Sequence, residues 1–209
     1  YKAHLLVFCS TIIYAFLAYF VNRTDYLLLL ASWILLFGCY YFLIQNNKIT
    51  TRFFLGVAVI FRLIFLFTTP FLSQDFYRFV WDGRMIVEGL NPYLSVPETF
   101  ITKGNYPFQG ARELYAGMGT LSGSNFTNYP PVNQFFFFLG ALVSKGSLLG
   151  NIVVFRLFIL LADIGIIAMG SKLLRVLNLP EKNIFWYALN PFIIIEMTGN
   201  LHFEPVMLF

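Results

Sequence analysis

The chain has 209 residues, of which 58% are hydrophobic and only 11% are charged, and its formal net charge is +4. Soluble domains carry about 25% charged residues, so the composition excludes an ordinary soluble protein and indicates an integral membrane protein in contact with membrane lipids. The basic residues are scattered rather than clustered, which argues against nucleic acid as a partner.

Several apolar stretches are long enough to cross a bilayer as helices, which takes about 20 residues each. They lie at residues 4–21, 26–44, 53–71, 152–170 and 183–199. The third contains Arg62, whose cost of about 3 kcal/mol on the insertion scale is outweighed by the surrounding apolar residues. The sequence therefore predicts an all-α protein, a polytopic transmembrane helix bundle. Because the chain lacks an initiator methionine and stops within an apolar stretch, we expect it to be the N-terminal part of a longer polytopic protein.

Another apolar run, at residues 132–149, is shorter than a span. Its uninterrupted apolar core runs from Phe135 to Val143. As a helix this core is roughly 14 Å long, about half of the ~30 Å thickness of the hydrocarbon layer. The length thus favours a helix that lies at the interface or dips into the bilayer without crossing it.

The positions of the basic residues support this interpretation. Lys48 and Arg52 flank one pair of spans, and Lys172, Arg175 and Lys182 flank another. Basic flanks favour the cytoplasmic side, and both groups share that side only if the run at 132–149 does not cross. We therefore predict a juxtamembrane or half-inserted helix there and an external loop at residues 72–131. In a bacterial inner membrane this loop would face the periplasm or the cell exterior.

The stretch LSQDFYRFVWDGRMIVEGLNPY, residues 72–93, interrupts the apolar pattern with charged residues. As a helix over about residues 75–88 it is amphipathic, with Asp75, Arg78 and Asp82 on one face. The opposite face holds Phe76, Phe79, Val80, Gly83, Val87 and Leu90. Such a helix lies in the membrane plane and turns its charged face to water or to a cleft.

The charges of this helix have an ordinary explanation as well as a catalytic one. Asp75 stands in the first turn, where a carboxylate stabilises the positive end of the helix dipole, and Ser73 is placed to cap the helix. Asp82 and Arg84 fit the role of solvated surface charges. The pattern of the residues alone leaves both explanations open.

A set of sequence blocks gives a more specific indication. They are LSQDFYRFVWDGR, GLNPY, YPP, RLFILLADIG and ALNPFIIIEMTGNLH, spread over roughly residues 55–209. In this order they resemble the GT-C glycosyltransferases that use polyprenyl-phosphate sugars, and in particular a bacterial mannosyltransferase group. In these families an acid near the start of the first external loop serves the chemistry, and a second polar or acidic position follows a later span. This chain has Gln74-Asp75 where such families often pair two acids, and its block ending GNLHFE offers Glu204 as the second carboxylate.

The resemblance implies an inverting enzyme that moves a sugar, by analogy mannose, from a polyprenyl-phosphate donor to a glycan, lipid or protein acceptor on the external face. The acceptor hydroxyl needs a carboxylate base, for which Asp75 is the first candidate and Asp82 and Glu204 are the others. The leaving phosphate needs cationic donors that match its geometry. The arginines expected to bind it are Arg78, Arg84 and Arg156.

Aromatic and amide residues complete the predicted substrate contacts. The aromatic candidates are Tyr77, Trp81, Tyr93 and Tyr129. They suit stacking on sugar rings, although anchoring at the membrane interface is the commoner role of such residues. Asn200 and His202 belong to the last block, and His202 with Glu204 would either join the site or bind a divalent cation such as Mg²⁺ or Mn²⁺. No certain cofactor follows from the sequence.

Two other kinds of protein fit parts of the sequence. Arg62 and Asp163, inside predicted spans, would either line the pathway of a transporter or lipid flippase or pair with each other, and Glu196 is equally ambiguous. The second alternative is a non-catalytic subunit packed among partners in a larger membrane complex. Transporters show inverted repeats and place essential charges mid-membrane. Here no repeat is visible and charges concentrate in the predicted external loop, which favours the enzyme.

Overall fold

The computed structural model describes residues 1–46 and 49–209. Lys48, one of the residues used above to predict sidedness, lies outside the described residues. In the described part every regular element is helical, which confirms the prediction of an all-α, polytopic helical membrane protein. The α-helices are α1 (Lys2–Phe20), α2 (Tyr26–Ile44), α3 (Thr51–Leu63), α4 (Asp75–Val87), α5 (Pro97–Thr102), α6 (Ala111–Gly123), α7 (Pro131–Ser144), α8 (Leu148–Val176), α9 (Phe185–Ala188) and α10 (Glu204–Leu208). Short 3₁₀ turns at Pro92–Leu94 and Glu181–Ile184 and a π-helix at Ile193–Gly199 complete the set.

Within residues 1–46 and 49–209, α1, α2 and α8 are the helices long and apolar enough to cross a membrane. They coincide with the predicted spans at 4–21, 26–44 and 152–170. Their sequences are rich in leucine, isoleucine and phenylalanine, which suits helices surrounded by lipid. They contain no proline that would break the helix.

The predicted spans at 53–71 and 183–199 are not continuous helices. α3 has 13 residues, about 20 Å, and gives way to turns before Pro70, where the Thr68 hydroxyl donates to the carbonyl of Phe65 at 2.9 Å. In the second stretch Pro191 separates α9 from the π-helix. Proline disfavours the helical conformation in the residue before it, which explains the interruption at Pro191. α3 has already ended at Leu63, and turns from Ile64 onward follow it before Pro70. Whether these segments and α7 enter the bilayer stays a prediction.

The chain divides into two compact units, and the first comprises residues 1–72 and 159–209. In it the Arg62 Nε lies 2.7 Å from Asp163 Oδ2, with both side chains almost completely buried. Arg62 also donates to the carbonyls of Ala58 and Ala188, and the Tyr187 hydroxyl donates to Asp163. A buried ion pair is tolerated when further hydrogen bonds satisfy it, so the ion-pair explanation of these two charges is confirmed.

The second unit comprises residues 73–158, and α4 packs in it against α6 and α7. Gly83 allows α4 and α7 to approach closely, because a Cβ at this position would overlap the backbone carbonyl of Phe137. Next to it the rings of Phe79 and Phe137 stack with their centroids 4.6 Å apart. The contact places the buried face of α4 against the aromatic run of α7.

The predicted helix at about residues 75–88 is α4, but its start differs from the expectation. The N-cap residue is Gln74 rather than Ser73. The Ser73 hydroxyl still accepts a hydrogen bond from the backbone N–H of Asp75 at 3.2 Å. Ser73 thus satisfies one N–H group at the helix start from a position before the cap.

Candidate active site

Arg78 and Asp82 are buried inside the second unit, with exposed fractions of 3% and 0%. Arg78 Nε lies 2.8 Å from Asp82 Oδ1. The expectation that α4 turns both charges to water or to a cleft is therefore wrong for Asp82. The reason is that α6 and α7 pack on α4 and leave it no continuous polar face.

Asp82 is the centre of a hydrogen-bond network. Its Oδ2 accepts from the Thr127 hydroxyl at 2.6 Å and from the Gln134 amide at 2.9 Å. Burial raises the pKa of Asp82, while the charge of Arg78 and the hydrogen bonds from Thr127, Gln134 and Arg78 act to lower it. Both carboxylate oxygens of Asp82 therefore accept hydrogen bonds from side chains of the protein. Sequence reasoning missed Thr127 and Gln134, because nothing in the pattern links them to a residue more than 40 positions earlier.

The guanidinium of Arg78 is held on two sides. Its Nη1 donates to the carbonyls of Ser122 and Asn125 at 2.6 and 2.9 Å. Its Nη2 is buried and has no hydrogen-bond partner in the described part of the chain. A buried donor without a partner costs about 1–3 kcal/mol of stability. The Nη2 group of Arg78 thus has a hydrogen-bond donor that the described residues leave unused.

Asp75 and Arg78 line one cavity of about 480 Å³, which we call the Asp75 cavity. Asp75 is exposed, one position before the fully buried Phe76. The other lining residues are Gln74, Leu121, Ser122, Asn125, Phe126, Thr127, Asn128 and Tyr129. An exposed carboxylate and a fixed guanidinium thus meet in one solvent-accessible recess.

Tyr129 is the aromatic candidate that lines this cavity. Its ring packs edge-on against Phe79, with the centroids 4.9 Å apart. The Tyr93 hydroxyl donates to the backbone carbonyl of Tyr129. Burial, reinforced by the negative charge of Asp82, raises the pKa of Tyr93. Tyr93 therefore supports the wall of the cavity through Tyr129.

Tyr77 and Arg84 line a different recess, which we call the Tyr77 cavity. It measures about 400 Å³ and is also lined by Gln109, Gly110, Glu113, Leu114, Lys145, Gly146 and Leu148. Arg84 donates to the carbonyls of Gln109 at 3.2 Å and Gly146 at 2.6 Å. Burial lowers the pKa of Arg84, and the charge of Glu113 opposes the change. The residues predicted to bind substrate are therefore divided between two cavities.

Two other predicted ligands are enclosed by protein. Trp81 is completely buried and donates from its ring nitrogen to the sulfur of Met85 at 3.1 Å, with Phe108 packed edge-on against it. No face of Trp81 is left for a sugar, so we withdraw that assignment. Arg156 on α8 is also buried, with 1% of its surface exposed, and lines neither the Asp75 cavity nor the Tyr77 cavity.

The last sequence block lies in the first unit and has unusual backbone geometry. The Nδ2 of Asn200 donates to Glu196 at 3.0 Å, and its Oδ1 accepts from the backbone N–H of Leu72 at 3.2 Å. Leu201 has φ of 62°, and the preceding turn is the π-helix. Such geometry is concentrated at functional sites. Asn200 is buried, whereas His202 is half-buried and Glu204 is exposed.

In the described part of the chain, no three His, Cys, Asp or Glu side chains form a group suited to a metal ion. His202 and Glu204 alone supply two ligands, and divalent cations take more from the protein or keep several waters. The residues present therefore give the expectation of a divalent cation no support.

The chain is similar to known mannosyltransferases, which confirms the resemblance to the bacterial group. Residues 3–208 match the family described as alpha-(1->6)-mannopyranosyltransferase, N-terminal domain. Over 147 residues the chain is 23% identical to Alpha-(1->6)-mannopyranosyltransferase B of Corynebacterium glutamicum. The match covers 68% of this chain and 23% of that relative, so the chain spans about a quarter of the relative's length. No solved structure matches.

Proposed function

The chain belongs to the alpha-(1->6)-mannopyranosyltransferase family, and from this membership we propose that it contributes the donor-binding and base-supplying part of a membrane mannosyltransferase. The donor is a polyprenyl-phosphate-linked mannose. The acceptor is a hydroxyl of a glycan, lipid or protein on the external face of a bacterial inner membrane. The transfer inverts the configuration at the anomeric carbon.

The observation that carries this proposal is that Asp75 and Arg78 line the same cavity. Transfer from a lipid phosphate needs a base for the acceptor hydroxyl and a cation for the departing phosphate. Asp75 is an exposed carboxylate, and Arg78 is a guanidinium fixed by Asp82 and two backbone carbonyls. A rigidly held arginine loses little freedom when it binds phosphate.

In the proposed step the acceptor oxygen attacks the anomeric carbon of mannose. The bond from this carbon to the phosphate oxygen breaks, and the phosphate leaves with the bonding electrons. The proton of the acceptor hydroxyl passes to the carboxylate of Asp75, and Arg78 binds the negative charge that develops on the phosphate. Inversion follows because the acceptor enters on the face opposite the leaving group.

The rim of the Asp75 cavity supports a lipid-linked donor. Leu121 and Phe126 line the cavity and are exposed over 78% and 61% of their surface. Exposed large apolar residues beside a polar recess suit a ligand with a charged head and an apolar tail. A water-soluble nucleotide sugar would gain nothing from these side chains.

The two alternative bases, Asp82 and Glu204, differ in their exposure to solvent. Asp82 is enclosed and its oxygens are occupied. Glu204 is exposed at the start of α10 and remains the alternative if Asp75 fails. The transporter alternative depended on Arg62 and Asp163 lining a pathway. It loses that support, because the two residues form a buried salt bridge with each other.

The proposal is tested by incubating the full-length protein in membranes with polyprenyl-phosphate mannose labelled in the sugar. We expect label to pass to an acceptor. Membranes with the same protein and labelled GDP-mannose, but no polyprenyl phosphate, are the control and should show no transfer. Transfer from the nucleotide sugar alone would contradict the lipid donor. The absence of any transfer would favour a non-catalytic subunit.

A further inference from the structure

α6 is broken near its end at Gly119, where the backbone has φ of 76° and ψ of 165°. Glycine is essentially the only residue that adopts this conformation. Residues 120–125 follow the break and contribute Leu121, Ser122 and Asn125 to the lining of the Asp75 cavity. The break at Gly119 therefore decides where one wall of that cavity lies.

Gln74 on the α4 side contacts the chain directly before the break. Its Nε2 donates to the backbone carbonyl of Met118 at 2.9 Å. Met118 is completely buried, so its carbonyl needs a hydrogen-bond donor from the protein. A Cβ at Gly119 would lie 2.9 Å from the same Gln74 nitrogen, so the glycine also leaves room for this amide. The transfer step as proposed gives Gln74 no role, although Gln74 lines the Asp75 cavity.

Arg78 contacts the chain directly after the break. Its Nη1 donates to the carbonyls of Ser122 and Asn125 at 2.6 and 2.9 Å. Gln74 and Arg78 are four positions apart at the start of α4, a spacing that puts two side chains on the same face. The two side chains therefore hold α6 on both sides of Gly119, Gln74 before the break and Arg78 after it.

We propose that Gln74 is a positioning residue for the donor phosphate and acts through Arg78. This inference rests on the proposed function and adds a residue to the donor site. Gln74 fixes the chain before the break, and the carbonyls after the break fix the guanidinium of Arg78. Without the Gln74 hydrogen bond, α6 is free to turn at Gly119 and to carry these carbonyls with it. Arg78 would then present its unused Nη2 group to the phosphate less accurately.

The test measures transfer by the full-length protein with polyprenyl-phosphate mannose as the donor. Gln74→Met removes the N–H donor and keeps a side chain of similar length. The lipid phosphate is charged before transfer begins, so a displaced Arg78 should weaken donor binding. We expect the donor KM to rise about fivefold, as for one lost hydrogen bond, and kcat to stay within about twofold of the parent. A variant that is only less stable would lose active enzyme, which lowers kcat and leaves KM at the parental value.

Gln45→Met is the matched control for this substitution. Gln45 is exposed at the end of α2, away from the Asp75 cavity. The variant should keep the parental KM and kcat.

A second variant disturbs the same contact from α6. Gly119→Ala places a Cβ against the Gln74 amide and should also raise the donor KM about fivefold. Gly104→Ala is its control, because Gly104 has a positive φ of 67° but an added Cβ there meets nothing within 4 Å. Both variants should lower Tm, since alanine is strained at positive φ. Only Gly119→Ala should raise the donor KM.

A double variant tests whether Gln74 acts through Arg78. In an Arg78→Lys background, the further change Gln74→Met should alter kcat/KM for the donor by less than about twofold, because residues that act as one unit are not additive. A further loss of about fivefold would mean that Gln74 contacts the donor itself.

Three results would overturn the inference. These are a parental donor KM in Gln74→Met, equal donor KM values in Gly119→Ala and Gly104→Ala, or additive losses in the double variant. If the parent protein transfers no mannose at all, the proposed function fails, and the link between Gln74 and α6 is tested separately. Hydrogen–deuterium exchange of the purified full-length protein in detergent should then be faster at residues 120–125 in Gln74→Met but not in Gln45→Met. Unchanged exchange in Gln74→Met would reject the link.

Discussion

Arg78 and Asp82 stand one turn apart on α4, and their side chains meet inside the protein with Nε and Oδ1 separated by 2.8 Å. The pair links the Asp75 cavity, which Arg78 lines, to Thr127 and Gln134, which hold Asp82 from outside α4. The position of the cation that we propose for the donor phosphate thus depends on the buried carboxylate of Asp82.

Removing the cation of this pair should destabilise the protein strongly. Arg78→Met leaves the charge of Asp82 buried and unpaired, which costs about 3–5 kcal/mol of folding free energy. The double variant Arg78→Met/Asp82→Asn removes both charges and should recover much of that loss. The measurement is the Tm of the purified full-length protein in detergent. Glu181→Gln, which breaks the exposed pair with Arg175, is the control and should leave Tm unchanged.

The same single variant should respond to pH. Burial raises the pKa of Asp82, and without Arg78 the cation that lowers it is gone. The folded state then binds more protons than the unfolded state, whose Asp pKa is about 3.9. The stability that the protonated Asp82 contributes is fully present below the unfolded-state pKa. It is lost as the pH rises through the pKa of Asp82 in the folded state. The Tm of Arg78→Met should therefore fall, relative to that of the double variant, as the pH rises through the range above about 4. Parallel curves would show that Asp82 does not titrate in this range.

Gly83 should be intolerant of any side chain. Gly83→Ala places a Cβ against the carbonyl of Phe137 and forces α4 from α7, for which overpacking costs of about 1–3 kcal/mol are usual. Gly38→Ala in α2 is the matched control, since a Cβ there meets nothing within 4 Å. The control should keep or raise Tm, because alanine favours a helix over glycine by about 0.5–1 kcal/mol. A similar Tm for both variants would mean that the two helices can separate without loss.

The sequence predicted α4 as a helix because its apolar residues recur at helical spacing and Gly89 and Pro92 follow it. It did not predict which face is buried. In the sequence Arg78 and Asp82 resemble surface charges. They are buried because residues far along the chain, among them Thr127 and Gln134, pack against them. Tyr77 and Arg84 were grouped with Asp75 by proximity in sequence, whereas helix geometry separates them. The breaks near Pro70 and Pro191 were hidden by hydropathy, which averages over windows longer than a turn.

The sidedness of the loops is open to cysteine labelling. In a background with Cys9 and Cys39 replaced by serine, a cysteine at the exposed Lys103 should react with an impermeant thiol reagent added outside. One at Lys182, in the basic loop predicted to be cytoplasmic, should react only after the membrane is permeabilised. Labelling of both from outside would refute the predicted topology.

Replacing Arg78 by lysine should weaken donor binding while keeping the charge. Lysine cannot pair with Asp82 and present a second planar N–H group at the same time. Loss of one charged hydrogen bond corresponds to about a 10- to 100-fold lower kcat/KM for the donor. Arg112→Lys, which alters an exposed arginine outside both cavities, should have no effect. Parental kinetics for Arg78→Lys, in a variant with normal Tm, would reduce Arg78 to a structural role.

The assignment of the base depends on Asp75. Asp75→Asn keeps the size of the side chain and the start of α4 but cannot take a proton, so kcat should fall by about 10²–10⁴-fold. If Asp75 only stabilises the helix dipole, the same change should cost about 0.3–1 kcal/mol of stability and leave kcat largely intact. Glu98→Gln is the matched control, because Glu98 is also an acid in a first helical turn, that of α5. The measurement is kcat with saturating donor in full-length protein, together with Tm. Because loss of a base lowers kcat by at least about 10²-fold, a variant that keeps more than about a tenth of the parental kcat would exclude Asp75 as the base. The exposed Glu204 would then be the carboxylate to change next, since Asp82 is already occupied by Arg78, Thr127 and Gln134.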